Sequence, residues 1–193
     1  PKILQEEMLY TSQDAALHGG NLVTEASPSK VNGHVYLASG SGHVYGYNLS
    51  TRRIDWDFYI GSDMDGSPVV TSDSCLLISV EKQYIQGQGG ILKLDPKKPV
   101  KHAVVWYMPS GDMVFSTWLG GVSGTAAIND RYKSNDAPAL AAFVAIDGYT
   151  YVIRHQEKDP GKQVTGFDGV RRFDTPVVAY KYKTGPSIAT PLL

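Results

Sequence analysis

A chain of 193 residues with 42% hydrophobic and 19% charged residues can bury a sizeable core, which excludes intrinsic disorder. Its formal net charge of -1 excludes the basic excess of a general nucleic-acid or membrane-surface binder. A single cysteine, Cys75, excludes an intrachain disulfide and a cysteine-based zinc cluster. Its setting in Cys75-Leu76-Leu77-Ile78 reads as a small buried hydrophobe.

No stretch is long and apolar enough to span a membrane. The chain starts at Pro1 and shows no signal peptide, which predicts a processed or excised piece whose targeting segment, if any, lies elsewhere. Twenty glycines, eleven prolines and twelve tyrosines predict many short strands joined by tight turns.

In chain order, a helix is possible near Gln5 to Leu17. A first four-stranded unit is expected over about 27–60. Val35-Tyr36-Leu37-Ala38 is a strand, Ser39-Gly40-Ser41-Gly42 a turn, His43 to Tyr47 the returning strand and Ile54 to Tyr59 the fourth, with Val31 or its neighbours in the first. A second unit, about 66–108, runs through Val69-Val70, Leu76 to Val80, Ile91 to Leu94 and Val104 to Tyr107. Gly87-Gln88-Gly89-Gly90 inside it reads as a flexible inter-strand loop, because no basic residue or helix start follows to hold phosphate. Pro109 to Val122 lengthens the link that follows. A third unit, about 123–183, includes Leu140 to Ile146 and Tyr149 to Ile153 around an Asp147-Gly148 hairpin turn, and closes with Val177 to Tyr182. Arg154 to Asp174 is polar and charged and reads as a long exposed loop. Residues 186–193 resemble the start of a further unit.

The hydroxyl–proline pairs Ser27-Pro28, Ser67-Pro68 and Thr190-Pro191 fall where units open, and a proline at a strand start costs no ladder hydrogen bond. A unit recurring every several tens of residues needs stacked copies to bury its apolar face.

The run from Val35 to Trp56 resembles the repeat of pyrroloquinoline-quinone (PQQ)-type β-propellers. In that family a strand pair with a Gly-containing turn leads to Ala-x-Asp, a Thr-Gly turn and a blade-closing Trp. Here Gly46-Tyr47-Asn48, Thr51-Arg52 and Trp56 take those places. Leu92-Lys93-Leu94-Asp95 with Trp106 echo them, and Val144-Ala145-Ile146-Asp147 with Tyr180 echo them more weakly. Arg52 departs from the usual glycine, and the third unit has no Trp. The resemblance, over about 27–193, implies an all-β propeller of four-stranded antiparallel blades, three to four present, and part of a larger ring. Trp56 and Trp106 are then packing residues between neighbouring sheets.

The resemblance also implies an extracytoplasmic, periplasmic or cell-surface place, as for bacterial propellers that include the outer-membrane assembly lipoprotein. Two functions stay open. One is a non-catalytic scaffold or recognition module that takes a protein, peptide or glycan on its inter-strand loops. The other is a fragment of a PQQ- and calcium-dependent dehydrogenase acting on alcohols or sugars. That chemistry needs a calcium site, a carboxylate and aromatic walls, for which Asp65, Glu81, Asp147 and Trp118 are the available residues. The adjacent cysteine pair of many such enzymes is missing.

Asp63-Met64-Asp65-Gly66-Ser67 has the oxygen spacing of a calcium loop's first half, but Ser74 stands where the bidentate glutamate belongs, so a solvated turn is the alternative. His34 and His43 flank one hairpin and were they to face each other could hold zinc. Gly121-Val122-Ser123-Gly124 lacks the strand–turn–helix setting of a nucleophilic serine. Phe115, Trp118 and Tyr132 lie in long inter-strand segments suited either to ligand contact or to covering a sheet edge.

Overall fold

The computed structural model of the chain describes residue 3 and residues 5–191. Strand-forming runs punctuated by turn residues give three four-stranded antiparallel sheets, each a meander in sequence order. The first comprises β1 (Ser29–Val31), β2 (His34–Ala38), β3 (His43–Asn48) and β4 (Arg53–Tyr59). The second comprises β5 (Val69–Val70), β6 (Leu76–Val80), β7 (Gly90–Leu94) and β8 (Val104–Pro109). A two-stranded hairpin of β9 (Asp112–Phe115) and β10 (Trp118–Gly120) follows. The third sheet comprises β11 (Ala127–Ile128), β12 (Leu140–Val144), β13 (Tyr149–Thr165) and β14 (Arg172–Lys183). The helix of the N-terminal segment, α1 (Ser12–Leu17), covers only six residues of the expected span. Thr11 caps it reciprocally with Asp14.

Two clusters of buried side chains form the core, one at each junction between neighbouring sheets. Trp56 and Phe58 of β4 meet Leu76, Ile78, Leu92, Leu94 and Tyr107 of the second sheet. Trp106 and Met108 of β8 meet Ala141, Phe143, Tyr151 and Ile153 of the third. Both tryptophans also hook onto the following unit: Trp56 Nε1 donates to the Lys98 carbonyl (3.3 Å) and Trp106 Nε1 to the His155 carbonyl (3.0 Å). They are 7% and 1% exposed. Tyr180, cross-strand from Val152 as Trp56 is from Gly46 and Trp106 from Lys93, is 57% exposed, with Tyr182 beside it on the same face.

A second repeat of contacts runs along the inner turns. The Ser27 amide donates to the Ser67 hydroxyl (2.8 Å), the Ser67 amide to Thr125 Oγ1 (2.9 Å) and the Thr125 amide to Thr190 Oγ1 (3.0 Å). Thr190 therefore holds the place that opens each earlier unit. The turns touch so closely that a Cβ on Gly124 would lie 2.1 Å from the Ala189 carbonyl oxygen, so glycine is required there. Residues 186–191 form no strand, and the last two residues of the further unit expected over 186–193 lie outside the described residues.

Several expectations are corrected. Arg154 to Asp174 is not an exposed loop: β13 and β14 continue through it as a long hairpin, interrupted by register shifts. Alternating charge kept its outer positions solvated and masked the strand pattern. Its turn returns to the first junction, where Phe167 is buried among Phe58, Tyr107 and Phe173 and its carbonyl accepts from the Gly87 amide (2.9 Å). Gly87, Gly89 and Gly90 are accordingly buried, not a flexible loop: a Cβ on Gly87 would meet the Gly166 carbonyl oxygen at 2.1 Å.

His34 and His43 stand at opposite ends of the β2–β3 hairpin, because the register pairs His34 with Asn48 and Ala38 with Val44. Each is held by its own carboxylate, Asp55 and Asp57, at 2.8 and 2.6 Å. The third unit's Val144-Ala145-Ile146-Asp147 runs off the end of the second strand of its sheet, whereas Asn48 ends, and Asp95 directly follows, the third strand of its own. That echo therefore sits one strand early. Arg52, at the resemblance's glycine place, adopts a left-handed backbone with φ of 57°.

Because Phe167 fills a junction it does not belong to by sequence, Phe167→Ala should cost about 3 kcal/mol, the usual price of deleting a buried aromatic ring. Urea unfolding of the variant would measure this. A loss below about 0.5 kcal/mol, the range of exposed surface substitutions, would show that the hairpin tip is not docked.

Candidate functional site

The links between sheets converge at one end of the second sheet. Glu81 follows β6 directly, and its backbone is clamped from both sides. Ser62 Oγ donates to its carbonyl (2.5 Å), its amide donates to the Asp63 carbonyl (3.4 Å), and it forms an isolated bridge with Gly121. The side chain is 1% exposed. Oε2 accepts from Gln83 Nε2 (3.0 Å), while Oε1 has no hydrogen-bond partner. Its carboxyl faces Asp65 and Ser123, and Ser123 Oγ in turn donates to Asp65 Oδ2 (3.1 Å). Asp63 is buried next to them and accepts from Asn21 Nδ2 of the N-terminal segment (3.1 Å).

Burial, and secondarily the neighbouring Asp65 and Asp63 carboxylates, push the Glu81 carboxyl up to about 8, with the adjacent Ser123 hydroxyl opposing. Burial and Asp65 raise Asp63 to about 6, despite bonds from the Met64 amide and Asn21. No lysine, arginine or histidine forms an ion pair with Glu25, Asp63, Asp65 or Glu81 among the described residues. An unpaired buried carboxylate is costly, so the group retains a proton at neutral pH.

Asp65 and Ser123 open onto a cleft of about 300 Å³ lined also by Glu25, Trp118, Thr125 and Thr190. Trp118 stands on β10 and stacks on Phe115 with ring centroids 6.3 Å apart. The structure thus brings Asp65 and Trp118 to one cleft, with Glu81 and Asp63 behind Asp65. The segment Asp63–Ser67 is not a solvated turn, since Met64 and Gly66 are buried. Asp147 is elsewhere: it accepts from the Gly111 amide (2.9 Å) and the Tyr151 hydroxyl (2.5 Å) and braces a turn. Glu25 carries no motif and was not singled out by sequence, and Ser123 was considered only as a nucleophile that its setting does not support. Their place in the order of units, just before Ser27 and Thr125, is the signal that could have found them.

A calcium-bound quinone would need an oxygen ligand set and a counter-charge at this cleft. No three Asp, Glu, His or Cys side chains stand as a metal's ligand set among the described residues. PQQ is itself a tricarboxylate, and the cleft offers it Glu25 and Asp65 with no lining cation. The cleft lining therefore supplies no counter-charge of its own to the quinone's carboxylates. Cys75 is buried and its thiol is pushed up to about 11, chiefly by burial, which leaves it unreactive at neutral pH.

No family model matches the sequence, and no curated protein matches it significantly. Among solved structures, the chain is similar to BamB from Moraxella catarrhalis, with 11% identity and a TM-score of 0.51. The match covers 89% of this chain and 38% of that one. At this identity the likeness shows the fold: the three sheets are blades of a β-propeller type. No helix among the described residues is long and apolar enough to cross a membrane.

Glu81 binds its proton more tightly when folded than when unfolded, so its contribution to stability is full below about pH 4.5 and declines as pH rises towards about 8. Glu81→Gln should flatten that part of the stability–pH profile. Denaturant titrations from acid to mildly alkaline pH would measure it. An unchanged slope in the variant would assign the proton to another group.

Proposed function

We propose that this chain is a non-catalytic propeller recognition module that binds a protein partner at the cleft beside the β9–β10 hairpin. The observation that carries the reading is the hairpin itself. It belongs to none of the three sheets, yet it exposes Met113, Val114, Phe115 and Leu119, with Val114 at 72%. Exposed apolar side chains on a short, internally paired insertion are costly unless they meet a partner, and Met, Phe and Trp are enriched in interface cores. Trp118 of the hairpin also lines the acidic cleft, so the two surfaces are contiguous.

The resemblance to extracytoplasmic propellers supports a periplasmic or cell-surface setting, where such a module presents its loops to other proteins. A peptide or glycan ligand is the alternative within the same class. The dehydrogenase reading has no comparable support, because the cleft's charge opposes the quinone.

Peptide display against the chain should yield binders that the Val114→Asp, Leu119→Asp double variant loses by about tenfold or more, the scale of an interface hot spot. Both positions are exposed, so stability should stay within about 1 kcal/mol of the parent. Equal binding by the variant, or enrichment on a glycan array without peptide binding, would contradict this reading. A thermal shift with PQQ and calcium together would favour the enzyme.

A further inference from the structure

We propose that the N-terminal segment around α1 is a proton-operated strap, clasped to the outer face of the first sheet while the His43 ring carries a positive charge and loosened when the ring is neutral. This inference is independent of the recognition reading.

His43 and Tyr45 on β3 share one face of the first sheet with Asp57 and Tyr59 on β4, because Val44, Trp56 and Phe58 between them point into the core shared with the second sheet. The N-terminal segment lies on that outer face. The Leu9 carbonyl accepts from the Ser41 and Tyr45 hydroxyls, both at 2.8 Å. Asp14, in the first turn of α1, accepts at Oδ2 from the Thr11 amide and hydroxyl (2.6 and 2.8 Å), while its Oδ1 lies 3.3 Å from His43 Nε2. The carboxylate that closes the helix cap is thus the one that docks the helix.

The clasp follows from what each group can donate. His43 Nδ1 lies 2.6 Å from Asp57 Oδ1, so both ring nitrogens face a carboxylate oxygen. A carboxylate only accepts, and a neutral imidazole has one N–H to give, so only imidazolium satisfies both sides. On losing a proton the ring keeps its N–H on the shorter contact, to Asp57 of the adjacent strand, and turns a lone pair towards Asp14. Attraction between strap and sheet then becomes repulsion.

The groups facing His43 are Asp14 from α1, Asp57 and Tyr59 from β4, and Tyr45 from its own strand. No lysine or arginine forms an ion pair with Asp14 or Asp57 among the described residues, so His43 is their counter-charge. Burial favours the neutral ring, but Asp57 and then Asp14 outweigh it and hold His43 above the ordinary 6.5. Burial raises both tyrosines, Tyr45 up to about 12, so neither titrates near neutral pH. The clasp is therefore full below about pH 6.5 and is lost as pH rises through the folded value of His43.

Loosening is local. His18, just after α1, is buried, and its Nδ1 lies 2.7 Å from the Gly40 carbonyl, a bond that a neutral or a charged ring can donate. Asn21 is held by Asp63. The strap pivots on these anchors, freeing residues 9–17. That uncovers His43 and Tyr59 on the sheet side of a cavity of about 340 Å³, which Thr11, Gln13, Asp14 and Leu17 close from the other side.

The test is NMR on the full chain from pH 5.5 to 9. It follows the His43 ring and the solvent exchange of the Ala15 and His18 amides, which donate to the Thr11 and Asp14 carbonyls within α1, corrected for intrinsic rates. A His43 midpoint above 6.5 is expected, with exchange about tenfold faster above it, the loss of one charge-assisted hydrogen bond. In His43→Gln exchange should be fast throughout, without a pH step. Asp14→Asn should lower the His43 midpoint and abolish the step. Thr11→Ala, which weakens the cap and leaves the clasp, should speed exchange about fivefold at every pH and keep the step.

A His43 midpoint at or below 6.5, equal amide protection at both ends of the pH range in the parent, or a step that survives in His43→Gln overturns the proposal. Should His43→Gln fail to fold, Asp14→Asn decides in its place: a step that persists there rejects the clasp.

Discussion

Each four-stranded sheet in this chain can bury its second face only by giving it to the next sheet. The tryptophan pair shows how that requirement is met. Trp56 and Trp106 each fill a junction with a large ring and then reach across with the indole N–H to a carbonyl of the following unit. Burying such a ring is worth several kcal/mol through area alone, and the directional bond fixes the register in which the sheets meet. The hydroxyl relay from Ser27 through Ser67 and Thr125 to Thr190 does the same at the inner turns. Packing supplies the driving force, and the paired hooks at both ends of each junction supply the orientation.

The candidate site is a by-product of this arrangement. The inner turns must pass very close to one another, as the Gly124–Ala189 approach shows. Residues beside the turns are then forced together whatever their charge. Asp63 and Asp65 precede one turn, Ser123 precedes the next, and Glu81 is wedged between their links. Acidic groups in such a place would destabilise the junction if all were ionised. The raised proton affinity of Glu81 and Asp63 relieves that strain in the free protein.

The long β13–β14 hairpin adds a constraint that is not nearest-neighbour. Stacked repeats normally touch only the units beside them. Here Phe167, near the turn of the third sheet's hairpin, fills a cavity at the junction of the first and second. At the junction of the second and third sheets, buried Lys93 bridges Asp73 and the His155 carbonyl at 2.6 and 2.9 Å. Together they tie the three sheets into one cooperative body. The polar outer face of the hairpin hid its role, because charged residues along two paired strands resemble the composition of a loop.

Strand runs, turns and the order of the three units could be read from the sequence because they depend on local chemistry. Val35–Ala38, the Ser39–Gly42 turn and the Asp147-Gly148 turn follow from side-chain period and backbone freedom over a few residues. Trp56 and Trp106 could be assigned to junctions for the same reason, since a large apolar residue repeated at one point of each unit has one place to go. Membership of the cleft could be read only in part. Asp65, Glu81 and Trp118 were visible as chemically able residues, but their spacing of 16 and 37 positions carries no periodic signal, and Asp147 looked equally suitable. What separated them was the path of the links between sheets. The sequence by itself determined the strands and their repeated need for neighbours, because these are local properties. Only the tertiary structure decided which acids share one cleft and where Phe167 docks, because those contacts join segments that no local preference connects.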